Sequence, residues 1–234
     1  MDQAVFHLIN EQWTSPVLDL FMAALSDVGV WQPFIVVLLL YALIFCGFKG
    51  RAFVFCVVVT LIFSEMVLVS SLKTAIGRPR PKQAQTVRLV HLRPASPKFL
   101  SLFKKPDVFL STARDRRAAG DGSSFPSGHV ANNFVVGTFC VLFFGRLGWL
   151  YYIVAALVGY SRIYLGAHWP SDVIATAFMG VGEALLIFAM LELSWRWAAP
   201  RWAPRWFAKH PHLAGITERA NVTALASAET LPQK

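Results

Sequence analysis

Charge is scarce in this chain: Asp, Glu, Lys and Arg make up 15% of its 234 residues, where a soluble globular domain carries about 25%. Hydrophobic residues reach 56% and the mean hydropathy is +0.51, too apolar for a soluble domain. Lys and Arg are absent from the first 48 residues, and the first 30 hold Asp2, Glu11, Asp19 and Asp27. This is the reverse of a basic leader and argues against a cleavable signal peptide. Cysteine is limited to Cys46, Cys56 and Cys140, each within an apolar block, where a thiol is a small hydrophobe. They form neither a disulfide framework nor a metal-ligand spacing. No internal repeat and no nucleic-acid recognition motif occurs. The formal net charge of +9 therefore points to an anionic lipid surface or a phosphate-bearing substrate, and away from nucleic acid.

What the chain does have is long apolar blocks. Crossing a ~30 Å hydrocarbon layer takes about 20 residues of helix, and spans are predicted at 31–48, 52–72, 128–145, 149–165 and 173–195. Lys49, Gly50 and Arg51 predict a tight turn between the first two, and Arg146, Leu147 and Gly148 another between the third and fourth. Residues 4–26 are apolar but broken by His7, Asn10, Glu11, Pro16 and Asp19, and read as helices lying in the interface; a sixth span would require them to cross. The expected fold class is all-α, a polytopic membrane helix bundle of five spans plus interfacial N-terminal helices. Residues 1–212 form one membrane domain with a long polar loop at 73–126, and 213–234 a disordered tail. Before that tail, Trp195, Trp197, Trp202 and Trp206 interleave with Arg196, Arg201, Arg205 and Lys209, the composition of a skirt at headgroup level. Within the polar loop, residues 82–124 carry Arg88, Arg93, Lys98, Lys104, Lys105, Arg114, Arg116 and Arg117 with apolar residues between. That mixture suits either an amphipathic cap or a mobile basic loop.

Three polar clusters stand at span ends, where polar groups are costly and mark function. The first runs from Lys73 through Gly77, Arg78, Pro79 and Arg80 to Pro81. The second is Phe125, Pro126, Ser127, Gly128 and His129. The third extends from Ser161 and Arg162 through His168 to Asp172. With short turns at 49–51 and 146–148 on one face, alternating spans bring all three clusters to the opposite face. Lys73, Arg80 and Arg162 supply cations for phosphate oxygens. Ser127 and Gly128 open a helix whose free N–H groups can meet an oxyanion. His129 and His168 can provide an acid and a nucleophile, and Asp172 could orient the His168 ring. Glu65 and Glu183 lie within spans and are expected to face the bundle interior, neutral or paired with a basic group. Arg78 reads as a solvated loop residue or headgroup contact.

These clusters resemble the signature of the type-2 phosphatidic acid phosphatase superfamily: Lys-x6-Arg-Pro, Pro-Ser-Gly-His and Ser-Arg-x5-His-x3-Asp. Here they are Lys73 with Arg80 and Pro81, Pro126 to His129, and Ser161 and Arg162 with His168 and Asp172. The resemblance implies a lipid phosphatase in which His168 attacks phosphorus to form a phosphohistidine, Asp172 orients it, and His129 protonates the leaving oxygen and then activates water. It implies that Lys73, Arg80, Ser127, Gly128 and Arg162 hold the phosphate and that neither metal nor other cofactor takes part. The implied partners are the membrane and a phospholipid or prenyl diphosphate substrate. Undecaprenyl diphosphate comes first, then phosphatidylglycerol phosphate, phosphatidic acid and lipid A. The implied location is a bacterial inner membrane with the site extracytoplasmic. A transporter or binding protein for phosphorylated lipids is the competing reading, and it would need no nucleophile and acid. A soluble haloperoxidase sharing the anion site is at odds with the five spans.

Overall fold

The computed structural model describes residues 1–112, 114 and 122–215; Arg116, Arg117 and the expected tail from 216 onward lie outside them. Among the described residues, four helical stretches are long and apolar enough to cross a membrane: Val28–Phe45, Gly47–Ala84, Gly128–Tyr164 and Pro170–Trp202. The chain begins with α1 (Asp2–His7), a π-helical turn at Leu8–Gln12, and α2 (Pro16–Ser26), whose first turn is capped by the Ser15 hydroxyl accepting from Leu18 N–H at 3.2 Å. The 11 residues of α2 reach only ~16 Å, short of a crossing. Phe6, Ile9, Met22 and Ala23 are buried with Val87, Tyr164 and Trp169, so the N-terminal helices pack onto the end of the bundle.

Asp27 caps α3 (Val28–Phe45), accepting from Gly29 N–H at 2.9 Å. The turn into α4 (Gly47–Phe63) falls at Cys46 and Gly47, ahead of the expected 49–51. Gly47 takes a φ of +58, a left-handed conformation that glycine adopts without steric cost. Arg51, on the first turns of α4, donates from Nε to the Leu43 carbonyl at 3.1 Å, satisfying an end carbonyl of α3. Helix α4 runs on through a π-helical turn, Ser64–Val69, into α5 (Ser70–Ile76).

The polar loop is folded where it is described. After α6 (Pro81–Ala84), strands β1 (Arg88–His91) and β2 (Asp107–Leu110) pair antiparallel, with Arg88 opposite Leu110 and His91 opposite Asp107. A 3-10 turn at Lys98–Phe103 lies between them. Tertiary contacts fix this cap. Asn10 donates to the carbonyls of Arg88 and Tyr164 at 2.9 and 2.6 Å, Arg88 pairs with buried Asp19 at 2.6 Å, and Lys98 pairs with Asp27 at 3.2 Å. The described residues of 82–124 are folded against the N-terminal helices.

The stretch Gly128–Tyr164 is folded back on itself. Helices α7 (Gly128–Phe144) and α8 (Trp149–Tyr164) are joined by a 3-10 turn at Gly145–Gly148. Gly148 lies against the Cys140 backbone, Thr138 bonds Tyr152 at 2.7 Å, and Gly159 approaches the Val130 side chain. That succession of partners makes the two helices antiparallel. The last long helix, α9 (Pro170–Trp202), has 33 residues, about 50 Å, and so extends beyond the expected 173–195 before α10 (Pro204–Lys209).

Phe48 stacks on His210 with centroids 4.3 Å apart, and Glu192 accepts from Leu213 N–H at 2.9 Å. Leu213 and Ala214, assigned by sequence to the tail, are buried there with Phe139 and Ala184. Glu183 is buried within the bundle and accepts from Ser64 at 3.0 Å, whereas Glu65, expected to face the interior as well, is exposed and accepts from Asn132 at 3.0 Å. Their partners are a hydroxyl and an amide rather than basic groups. The 46–47 turn, the 145–148 turn and residues 192–214 thus occupy one end of the bundle, and the three polar clusters the other.

Candidate active site

Gly77 ends α5 at a φ of +61, the left-handed C-terminal conformation that glycine favours. The chain then turns so that Arg78 and Pro79 meet both other clusters. The Arg78 carbonyl accepts from Ser124 N–H at 2.6 Å, just ahead of the second cluster. The Pro79 carbonyl accepts from the Trp169 indole at 2.9 Å, inside the third.

His168 is buried, and its Nδ1 lies 2.5 Å from the Ser124 carbonyl. A carbonyl only accepts, so Nδ1 carries the proton and Nε2 keeps its lone pair. This is the tautomer a nitrogen nucleophile requires, but Asp172 is not the group that sets it. Asp172, in the first turn of α9, accepts from the Ser124 hydroxyl at 2.6 Å and from Arg78 at 2.5 Å. The direct contact expected from sequence is replaced by a relay: Arg78 and Asp172 fix Ser124, whose carbonyl fixes His168. Arg78 itself is held by Asp2 at 2.6 Å and Ser171 at 2.8 Å.

The charges of Arg162, Arg80 and His129 fall on His168, and those of Arg162, Lys73 and Arg80 fall on His129. All three clusters are therefore within electrostatic reach of one another. Among the described residues none of Lys73, Arg80 and Arg162 meets a carboxylate at ion-pair distance, whereas Arg78 meets two. Arg162 contacts the Ser26 hydroxyl at the end of α2. Ser127 precedes α7, and its N–H donates to Thr176 at 3.2 Å. The Ser127 hydroxyl and Arg162 Nε are buried and have no hydrogen-bond partner. Two donors at an uncompensated cationic centre suit an anion with several acceptor oxygens. At Gly128 an added Cβ would stand 2.8 Å from Glu65 Oε1, so a side chain there would displace the Glu65 carboxylate.

Burial, reinforced by Arg162 and Arg80, pushes the His168 pKa well below the usual imidazole value, against the opposing effect of the Ser124 bond. A lowered pKa keeps the ring neutral, and able to attack, to lower pH. The acid limb of kcat/KM set by His168 should therefore fall well below pH 6.5, as a pH–rate profile would read out. A limb at or above the free-imidazole value would show that the site does not hold this ring as described.

Sequence reading brought together Lys73, Arg80, Ser127, Gly128, His129, Arg162, His168 and Asp172. It missed Ser124, Ser26 and Thr176 and misread Arg78. Ser124 stands three residues before Ser127, and Arg78 inside the first signature, so proximity to the motifs was the one available signal.

A family model described as the PAP2 superfamily matches residues 53–196. The lipid A 4'-phosphatase of Bacteroides thetaiotaomicron is 30% identical over 187 residues, covering 78% of this chain and 74% of that protein. The bacitracin transport permease protein BcrC of Bacillus licheniformis is 42% identical over 79 residues, covering 34% of this chain and 35% of that one. The crystal structure of Aquifex aeolicus LpxE superposes with a TM-score of 0.54 at 27% identity, covering 80% of this chain and 94% of that chain. With the family model spanning more than half its length, the chain belongs to the PAP2 superfamily and is an integral-membrane phosphatase.

Proposed function

We propose that this protein hydrolyses a phosphate monoester or diphosphate of a lipid through a phosphohistidine on His168. The observation that carries this reading is the set of three cations without carboxylate partners among the described residues, with the Ser127 hydroxyl and Arg162 Nε unbonded, around two imidazoles. His168 Nε2 attacks phosphorus, and the bond to the leaving oxygen breaks as His129 delivers a proton to it. Water then attacks the phosphohistidine and gives its proton to His129, and inorganic phosphate leaves with His168 restored. Lys73, Arg80, Arg162, Ser127 and the N–H groups opening α7 stabilise the charge on the equatorial oxygens. Asp172 acts through Ser124 in this scheme. Asp172→Asn and Ser124→Ala, which keeps the carbonyl, should each lower kcat by about 10- to 100-fold with KM little changed. A loss of about 10⁴-fold for Asp172→Asn alone would favour a direct triad contact instead.

Five crossings follow if α7 and α8 each span, with the site extracytoplasmic. The cation-free N-terminal segment supports that side, although, counted along the sequence, the site side carries thirteen Lys and Arg against nine on the opposite side. The bacterial inner membrane fits such a chain. Among the described residues no three His, Cys, Asp or Glu side chains gather as a metal-ligand set, and the chemistry above uses none. The test is phosphate release by the purified protein in excess EDTA, across glycerophospholipid phosphates, lipid A and prenyl diphosphates. Full activity toward at least one lipid is expected, and a strict requirement for added Mg²⁺ would contradict the mechanism.

A further inference from the structure

A cavity of about 700 Å³ opens beside His129, walled by the junction of α2 and α3, the end of β1 and Lys98 of the cap. His129 lines it and His168 does not. On the reading above, on which this inference rests, the nucleophile and the leaving oxygen stand on opposite sides of phosphorus. The open space beside the acid is then the leaving-group side.

The two sides differ in charge. On the phosphate side, among the described residues, Lys73, Arg80 and Arg162 have no carboxylate at ion-pair distance. In the cavity the lysine, Lys98, is already paired with Asp27 at 3.2 Å, and the other polar side chains of the wall besides His129 are His91 and Ser26, whose hydroxyl is held by Arg162. The first side is built for an anion and the second is close to neutral. A diphosphate substrate would bring its second phosphate beside the Asp27–Lys98 pair, which leaves no uncompensated cation to receive it. A hydroxyl-bearing group would instead find acceptor capacity on Asp27, donors on Lys98 and a group of either kind on His91. Val90, Leu92 and Leu165 supply apolar wall between them, which suits the C–H faces of a sugar ring or glycerol chain.

We propose that this cavity is a headgroup subsite for an uncharged, hydroxyl-bearing sugar or glycerol unit bonded directly to the leaving oxygen, so that the enzyme cleaves a phosphomonoester on a sugar- or glycerol-headed lipid in preference to a prenyl diphosphate. The choice reverses the order of substrates expected from sequence, because that order rested on motifs that hold phosphate and not on what surrounds the leaving oxygen.

The test compares kcat/KM of the full chain in detergent micelles for a glycosyl lipid phosphate, phosphatidylglycerol phosphate, phosphatidic acid, farnesyl diphosphate and p-nitrophenyl phosphate. At least one of the first two should exceed both phosphatidic acid, which offers no free hydroxyl, and farnesyl diphosphate by about tenfold or more. Whichever of the two leads tells sugar from glycerol. The double variant Asp27→Asn, His91→Ala retains an N-capping side chain on α3. It should lower kcat/KM for the preferred lipid at least about tenfold more than for p-nitrophenyl phosphate, chiefly through KM. Preference for farnesyl diphosphate, equal use of phosphatidic acid, or an unchanged ratio in the double variant would overturn the headgroup assignment while leaving the phosphatase reading intact. Failure to release phosphate from any of the five would remove the phosphatase reading and this inference with it.

Discussion

Replacing His168 with Ala should lower phosphate release at least about 10⁴-fold, because a two-step route has no substitute for its nucleophile. The ring is buried and held by one bond to the Ser124 carbonyl, and few other groups depend on it. The helices that frame it, α8 and α9, are set by packing along their length, so the variant should elute and unfold in detergent as the parent does. His168→Gln offers a control, keeping a donor for the Ser124 carbonyl while lacking the nucleophilic nitrogen. It should be as inactive as the alanine variant. Appreciable activity in either would mean that His168 does not bond to phosphorus.

His129→Ala should cost about 10²- to 10⁴-fold on a lipid phosphomonoester, the usual range for a lost general acid, and the loss should depend on the leaving group. An alkoxide or sugar oxyanion leaves poorly without a proton. A nitrophenolate leaves readily, so with p-nitrophenyl phosphate the first step proceeds and the water-activating second step becomes limiting. Rapid-mixing measurements on the variant should then show a burst of about one equivalent of nitrophenol followed by slow turnover. A uniform loss across leaving groups, with no burst, would assign His129 a role in binding rather than proton transfer. Placement is consistent with the proposed proton transfer, since His129 lines the open cavity and His168 does not.

The convergence of the three clusters could be read from the sequence because it depends only on alternation: short turns at one end of a bundle place the long loops at the other. The turn positions could be read only approximately. Charge at Lys49 and Arg51 marks the membrane boundary, but the reversal falls where Gly47 can take a positive φ. The relay behind His168 was not legible, since Asp172 stands four residues on, at the spacing of a direct partner. Only the three-dimensional path of Ser123 to Phe125 brings Ser124 between them, its hydroxyl to Asp172 and its carbonyl to His168. The cover over the site was hidden for a related reason. Asn10 bridges Arg88 and Tyr164, and Asp2 reaches Arg78 and Ser171, contacts between distant segments that no local periodicity encodes. Interruptions such as Asn10 and Asp19, which mark residues 4–26 as a poor span, are the groups that tie those helices to β1 and α8.

The most direct test of the mechanism is to trap the intermediate. His129→Ala, mixed with p-nitrophenyl phosphate and quenched in alkali, should carry one phosphate, and peptide mass spectrometry should locate it on His168. The adduct should survive base, be lost in acid and be absent when His168 is also replaced. Continued turnover with no phosphorylated protein, or phosphate found on Ser127 instead, would contradict a covalent route through His168.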